Sequence, residues 1–398
     1  MSDAPFSAWL TLLCVSLMFF LITAATFTSL GVVLPAMVGE LHWSWGAAGS
    51  GFSLLGVFCG ITSTIPATLI RRFGVRATLA AGSAVMAAAF LCLARAEDLL
   101  AYFAGCSLAG LGFTLLATVP GTYLLARVFA RPSFAFGLYF TIGGLGGVAG
   151  PLLYFWVDGV SGGWRSYWLV VGAVVALAGL ISAALVDSKT NVAVAANPDP
   201  DITDQNWRAR DAMKTPQFFV LAAAYGIFLF VGITVNAVAV AHLMGHGISN
   251  VAAGSMISVE AFVNAGARFL GGALVRFIDA RKLLLLSLAF LIAGLLALSV
   301  ARDLPLMLVF AGGIGIGYGL TFFASTILLL DYFGRDANLE LFSMVNLIAT
   351  IGSVGPAFAG FVADRSGSFV PAFLALAVFT VLVLIAVIAM RPPKRVMP

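Results

Sequence analysis

Residues 10–33 read LTLLCVSLMFFLITAATFTSLGVV and contain no charged side chain. A helix of about 20 apolar residues is long enough to cross the roughly 30 Å hydrocarbon core of a bilayer. Comparable apolar stretches recur along the chain, and they predict twelve membrane-spanning helices. The predicted spans are 10–33, 46–70, 77–95, 100–127, 135–157, 166–186, 217–241, 250–275, 282–301, 305–330, 340–362 and 369–390.

The composition of the 398-residue chain indicates that lipid covers most of its surface. Hydrophobic residues make up 61% and charged residues 10%, and the mean hydropathy is +1.07. A water-soluble domain of this composition would expose large apolar patches. The apolar stretches are continuous rather than alternating, which favours helices over the strands of an outer-membrane barrel. We therefore predict an all-α, multi-pass protein of the bacterial inner (plasma) membrane.

The Lys and Arg residues predict the orientation of the helices, because cytoplasmic loops retain them. If both termini are cytoplasmic, most of the 21 basic residues lie on the cytoplasmic side. Those residues are Arg71, Arg72, Arg76, Arg127, Arg131, Lys189, Arg208, Arg210, Lys214, Arg276, Arg281, Lys282, Arg335, Arg391, Lys394 and Arg395. The outer side keeps Arg95, Arg165, Arg302 and Arg365. Only Arg268 remains, and it falls in the interior of a predicted span.

One hydrophilic stretch divides the chain. Residues 187–215 are rich in Asp, Asn and Pro and have no apolar period, which predicts a cytoplasmic linker. The linker separates a first bundle of six helices, 1–186, from a second bundle, 216–398. Pro216 is suited to the first turn of the helix that opens the second bundle.

The two halves also share an internal repeat. A shift of 205 residues aligns 47–50, AAGS, with 252–255, AAGS, and it aligns Gly-Pro at 150–151 with Gly-Pro at 355–356. Matches in the same order at one offset predict two pseudo-symmetric six-helix bundles. In transporters built from such repeats, the substrate site lies between the halves.

Several short stretches resemble one family of transporters. The segments 31–36, GVVLPA, 41–46, LHWSWG, and 52–54, FSL, resemble the region of helices 1 and 2 in the monocarboxylate porters. The segment 213–219, MKTPQFF, is similar to the entry to helix 7 in the monocarboxylate and oxalate/formate branch of the major facilitator superfamily. The resemblance implies the major facilitator fold and secondary active transport by alternating access.

The sequence departs from the superfamily pattern in the loop between helices 2 and 3. Residues 67–76 read ATLIRRFGVR, with Arg71 where the superfamily usually has an acidic residue, and Arg276 makes the same exchange in the second half. We therefore do not transfer the usual carboxylate gate of that loop. Gly146, Gly150 and Pro151 resemble an antiporter motif whose trailing glycines are missing here.

Predicted helix 8 carries charge inside the membrane. Glu260, Asn264 and Arg268 follow one another at intervals of four residues, so they line one helix face. Ionisable groups at this depth face a partner or a cavity and commonly mark a transport path. The planar guanidinium suits a carboxylate, which predicts Arg268 as the anchor of a substrate carboxylate. The alternative is that Glu260 and Arg268 neutralise each other.

The resemblance adds expectations about this helix. In the related porters an Arg of helix 8 binds the carboxylate, and Arg268 stands at the matching place. Asn264 replaces the Asp of the animal carriers, so their proton site is not carried over. Residues 345–350 of helix 11 contain no second cation, which argues for one carboxylate. Glu260 is the candidate for proton coupling, and the alternative is a counter-ion or a wall of the outer vestibule.

Weaker candidates for substrate binding are polar or amphipathic residues at suitable depth. They are Thr28, Ser29, Tyr123, Asn236, Tyr318 and Asn346. For each, a packing role or a hydrogen bond between helices is the alternative. His242 and His246 have a spacing that suits metal binding, but without a third ligand in reach we interpret them as surface histidines.

These observations predict a secondary active transporter of a small monocarboxylate, like lactate or pyruvate, coupled to protons as a symporter. The alternative is an exchanger of organic anions or an exporter of another small molecule. A receptor or intramembrane enzyme is a third hypothesis, but we find no reactive motif and predict neither enzymatic activity nor a cofactor or metal. The expected partners are a small organic anion, protons and membrane lipids, with no nucleic acid, and the chain is expected to be monomeric.

Overall fold

The structure is a computed structural model that describes residues 6–129, 133–186, 207–275 and 277–393. Within these ranges it contains helices and no strand. We number the twelve long segments α1 to α12 in chain order. Their bounds are α1 Phe6–Leu41, α2 Trp45–Ile61 with Ile65–Phe73, α3 Val75–Ala94, α4 Leu99–Leu116 with Thr118–Val128, α5 Ser133–Ser161, α6 Trp164–Leu185, α7 Pro216–Gly245, α8 Asn250–Leu274, α9 Ala280–Val300, α10 Leu304–Phe333, α11 Arg335–Ala349 with Gly355–Ser366, and α12 Val370–Ala389.

The helices match the predicted spans in number and order. In the described ranges, 10 are long and apolar enough to cross a membrane, and α2, bent by 51° at its break, is an eleventh. The remaining segment, α8, has 25 residues, but its charged and amide side chains lower its hydropathy. The predicted linker lies largely outside the described residues. Its described part contains a short helix, Ala209–Ala212.

The largest difference from the predicted bounds is in α1. The prediction ended it at residue 33, whereas the helix continues through Pro35 to Leu41. A turn of π-helix at Ala24–Thr28 interrupts it, and a similar irregularity in α11 is the 3₁₀ segment Thr350–Val354. Such interruptions inside helices often mark functional positions.

Side chains outside the apolar stretches fix several helix starts. The carboxylate of Asp98 accepts a hydrogen bond from the Ala101 N–H at 2.8 Å at the start of α4. Thr215 caps α7 through the Phe218 N–H at 3.3 Å, with Pro216 in the first turn as predicted. These caps satisfy backbone groups that no helical hydrogen bond reaches.

Contacts at the helix ends define two ends of the bundle. At one end, Arg76 donates from Nε and Nη2 to the Val186 carbonyl at 3.2 and 2.9 Å. Arg281, which the 205-residue shift aligns with Arg76, donates in the same way to the carbonyls of Val387 and Ile388. The internal repeat is therefore present in the contacts. We call this end, where α1 begins and α12 finishes, the terminal end, and the other the opposite end.

The two halves meet along two seams, α2 with α11 and α5 with α8. In the first seam, the Ala357 N–H donates to Ser53 Oγ at 3.0 Å. In the second, Ser258 Oγ donates to the Val148 carbonyl at 2.8 Å. Among the described residues, the hydrogen bonds between halves lie from the middle of the bundle to its opposite end. The opposite end is therefore closed.

Candidate functional site

The charged face of α8 is turned into the protein, as its spacing predicted. Glu260 is buried, and Asn264 and Arg268 are half-buried. The backbone of this helix packs closely on α10, because a Cβ added at Gly315 or Gly319 would meet the carbonyl oxygens of Glu260 or Asn264 at 2.6 Å. The glycines of α10 thus allow α8, which carries the polar residues, to pack closely against α10 inside the second bundle.

Arg268 is held by an amide and two rings. Its Nε donates to Asn264 Oδ1 at 3.0 Å. The guanidinium carbon lies 4.8 Å from the ring centre of Phe322 and 5.6 Å from that of Tyr318, both on α10. Cation–π contacts of this kind are attractive but do not neutralise the charge. No ion pair joins Arg268 to an acid of the described part of the chain.

Glu260 is close enough to Arg268 to interact with it electrostatically, but the two do not form an ion pair. No hydrogen bond within the described ranges reaches the Glu260 carboxyl, although only 4% of the residue is exposed. The two groups lie eight positions apart on one helix, a rise of about 12 Å, which is too far for direct contact. The site thus keeps a cation and an acid separate.

A cluster of rings lies beside Arg268, which contacts two of them, and we call it the aromatic wall. It consists of Tyr225, Phe228, Tyr318, Phe322 and Phe342. Tyr225 joins the wall to another predicted residue, since its hydroxyl donates to Oδ1 of Asn346 at 3.2 Å. The structure therefore brings Asn264, Arg268, Tyr318 and Asn346 together from α8, α10 and α11.

The predicted candidates of α1 lie elsewhere. Thr28 and Ser29 are buried, and their hydroxyls donate to the carbonyls of Thr23 and Ala24 across the π-turn. A Cβ added at Gly150 would meet both hydroxyls, so α5 packs directly on them. Their observed contacts satisfy the irregular backbone of α1 and fit the packing alternative.

Asn236 and Tyr123 are also separate from Arg268. Asn236 lies where α7 crosses α1, because a Cβ added at Gly31 would clash with its carbonyl, and its Nδ2 donates to Gly232 O at 2.9 Å. Tyr123 lies at the terminal end, where Arg127 donates to its hydroxyl and stacks on its ring at 5.2 Å.

The interpretation of both histidines as surface residues is wrong for His242. It is 4% exposed, and its Nε2 lies 2.9 Å from the Leu298 carbonyl. His246 Nδ1 bonds the Ala301 carbonyl at 2.8 Å. These two contacts join α7 to the end of α9. The surface interpretation fails for His242 because the apolar sequence around it is packed rather than exposed. The described residues contain no group of three His, Cys, Asp or Glu that could hold a metal ion.

Sequence reasoning missed four rings of the wall, Tyr225, Phe228, Phe322 and Phe342. Tyr225 with Phe228, and Tyr318 with Phe322, have helical spacing and could have been read as two aromatic faces. The chain has 33 Phe, however, and aromatic residues in apolar spans carry little positional signal.

Comparisons with known proteins agree with this architecture. The sequence profile described as Major Facilitator Superfamily matches residues 14–301 and 225–397. A transporter of Bacillus subtilis (strain 168), described as the uncharacterized transporter YycB, is 25% identical over 369 residues, which is 89% of this chain and 87% of that protein.

Two solved structures have the same fold. A bacterial homolog of the human lysosomal transporter Spinster, in an inward-facing and occupied conformation, superposes with a TM-score of 0.79, covers 95% of each chain and is 17% identical. The nucleoside transporter NupG, in a mutant form, superposes with a TM-score of 0.76 and 14% identity, covering 95% of this chain and 99% of its own.

Proposed function

This chain belongs to the Major Facilitator Superfamily, whose members are membrane transporters rather than enzymes, and we propose that it transports a small monocarboxylate. The observation that carries the proposal is the guanidinium of Arg268, which lies inside the membrane without a carboxylate partner in the described residues. The proposal covers the lactate- and pyruvate-like acids that the sequence suggested.

A cation in this position needs compensation of its charge. Moving a charge from water into the membrane costs several kcal/mol even after relaxation, unless an opposite charge or dipoles compensate it. Asn264 supplies a dipole to Nε, and Tyr318 and Phe322 supply ring faces. The remaining charge is available to a substrate anion, and a carboxylate matches the planar fork in two parallel hydrogen bonds.

Glu260 suits the role of proton carrier. With an anion on Arg268 and a proton on Glu260, the loaded site has no net charge, and with both absent its two charges again cancel. The two states that cross the membrane are therefore both electrically balanced, whereas the anion alone or the proton alone leaves one charge uncompensated. This balance favours symport of one proton with one monocarboxylate.

The closed opposite end fits alternating access. We assign the terminal end to the cytoplasm, because it holds most of the basic residues. In this assignment the closed opposite end faces away from the cytoplasm, as expected for one of the two alternating states of a monomer in the bacterial inner membrane. The two bundles, joined by the linker 187–215, rock about the seams α2 with α11 and α5 with α8.

Uptake into proteoliposomes tests the proposal. Labelled lactate, pyruvate, formate and oxalate are offered with and without a pH gradient that is acidic outside. We expect monocarboxylate uptake that the gradient stimulates, and its loss in Arg268→Gln. Arg95→Gln is the matched control, because Arg95 is exposed at the end of α3. Uptake that is unchanged in Arg268→Gln would refute the anchor, and uptake of oxalate in preference would favour the organic-anion exchanger.

A further inference from the structure

From the side chains around Arg268, we infer that the preferred cargo is a monocarboxylate with an aromatic body rather than a short aliphatic acid. The inference rests on the proposed function, because it takes Arg268 as the carboxylate anchor. It adds the aromatic wall, Tyr225, Phe228, Tyr318, Phe322 and Phe342, as the determinant of specificity.

The wall is continuous from ring to ring. The ring centres of Phe228 and Tyr318 are 4.5 Å apart, and Tyr225 lies 4.9 Å from Phe228 and 5.9 Å from both Phe322 and Phe342. These separations are those of favourable aromatic pairs. The rings come from α7, α10 and α11, and the two rings of α10, Tyr318 and Phe322, lie against the guanidinium.

Part of this surface is partly exposed. Tyr318, Phe322 and Phe342 are each half-buried, whereas Tyr225 and Phe228 are buried behind them. The guanidinium carbon is within 6 Å of the ring centres of Tyr318 and Phe322. A carboxylate bound to the fork is about 3 Å from its nitrogens. The atoms attached to that carboxylate are therefore within reach of the same two rings.

Four of the polar atoms nearby are already engaged in hydrogen bonds within the protein. Asn264 Oδ1 accepts from Arg268, and Asn346 Oδ1 accepts from the Tyr225 hydroxyl. Asn346 Nδ2 donates to the Phe342 carbonyl at 2.8 Å. These atoms are therefore not free to replace the water that a hydroxyl or keto group of a small acid loses on binding. A ring instead covers apolar surface and forms aromatic contacts.

The experiment compares acids that differ only by a phenyl group. Binding of lactate and phenyllactate, and of pyruvate and phenylpyruvate, is measured by calorimetry on the purified full chain in detergent. We expect the phenyl member of each pair to bind about tenfold more tightly, since one aromatic contact and the added buried area together contribute this much. Equal binding within a pair, or tighter binding of the smaller acid, would overturn the inference.

Two substitutions identify the residues responsible. Phe322→Leu keeps an apolar side chain and removes the ring, and we expect it to weaken phenyllactate binding several-fold more than lactate binding, so that the phenyl preference falls. Phe269→Leu is the matched control, because Phe269 follows Arg268 in sequence but is 75% exposed and makes no ring contact in the described structure. A phenyl preference that survives in Phe322→Leu would contradict the role of the wall.

The same assay distinguishes a failure of the inference from a failure of the proposed function. If Arg268→Gln abolishes binding of both acids in a pair while the wild type does not distinguish them, the anchor stands and the aromatic preference is wrong. If phenyllactate binds Arg268→Gln as tightly as the wild type, the carboxylate anchor is wrong and the inference falls with it.

Discussion

Helices α2 and α8 occupy equivalent positions in the two halves, but their chemistry differs. The 205-residue shift aligns Leu55, Cys59 and Ser63 of α2 with Glu260, Asn264 and Arg268 of α8. The face that is charged in α8 is therefore uncharged in α2. The two helices are similar in sequence, and on the aligned faces only the second carries charged groups.

In α2 the polar contact lies at the helix start instead. The carboxylate of Asp364, at the end of α11, accepts hydrogen bonds from the N–H groups of Trp45 and Gly46, each at 2.8 Å. The residue aligned with Asp364 is Gly159 of α5, which supplies no carboxylate to the start of α8. One helix of the pair thus holds the candidate binding site, and its equivalent holds the closed end together.

The largest effect is expected where the two helices differ in charge. Arg268→Gln should weaken substrate binding about 100-fold, because removing one member of a buried charge pair costs several kcal/mol. The aligned change Ser63→Gln, at an exposed position in the break of α2, should leave affinity unchanged. Concentration-dependent uptake measures both. Similar losses in the two variants would mean that the halves share the binding site equally.

The second comparison concerns the seams. A Cβ at Gly49 of α2 would clash with the backbone carbonyl of Pro356, whereas a Cβ at the aligned Gly254 would meet the ring of Phe155 at 2.6 Å. A side chain can move aside more readily than a backbone. Gly49→Ala should therefore destabilise the closed opposite end by about 2 kcal/mol, and Gly254→Ala by less than about 1 kcal/mol.

Thermal unfolding in a fixed detergent, together with modification of a cysteine introduced at Ser44, measures the effect of each glycine change. Faster modification of the Gly49→Ala protein indicates an opened end. Equal shifts in the two variants would show that the tighter approach at α2 has no energetic consequence.

A third comparison separates binding from coupling on α8 itself. Glu260→Gln should remove the accumulation of substrate inside the vesicles that a pH gradient drives. For coupling to one proton, this accumulation is at most about tenfold per pH unit. Exchange of labelled for unlabelled substrate without a gradient should continue, because Arg268 is unchanged. Uptake with a pH gradient measures the accumulation, and counterflow in matched vesicles without a gradient measures the exchange. Accumulation that persists in the variant would assign Glu260 to the counter-ion alternative.

The sequence allowed these regions to be predicted to different degrees. The charged face of α8 followed from the spacing of Glu260, Asn264 and Arg268, because helical periodicity is a local property. The contact of Asp364 with Trp45 joins residues 319 positions apart, and no local pattern reports such a pair. The continuation of α1 through Pro35 was missed because a proline usually ends a helix.

The aromatic wall illustrates a further limit. Phe322 and Phe342 become neighbours of Tyr225 only when α7, α10 and α11 pack together. Many lipid-facing residues are of the same types, so neither composition nor helical periodicity could distinguish the residues of the wall from those that face lipid. Polar residues inside a span are few and therefore informative, whereas apolar residues acquire a role only through tertiary packing.

The smallest effect is expected for the carboxylate at the opposite end. Asp364→Asn keeps one acceptor oxygen but loses the negative charge that favours the start of α2. The loss of one charge-assisted hydrogen bond at a partly exposed site is worth about 1 kcal/mol, or about fivefold in the population of the closed state.

Spin labels at Ser44 and Ser366, in a background without native cysteines, report the distance across the seam. We expect a longer component to grow in Asp364→Asn and to stay absent from Asp158→Asn, a matched change at the end of α5. If the two variants give the same distance distribution, then the packing of the glycines closes this end of α2 without help from Asp364, and the difference between α2 and α8 reduces to the charged face alone.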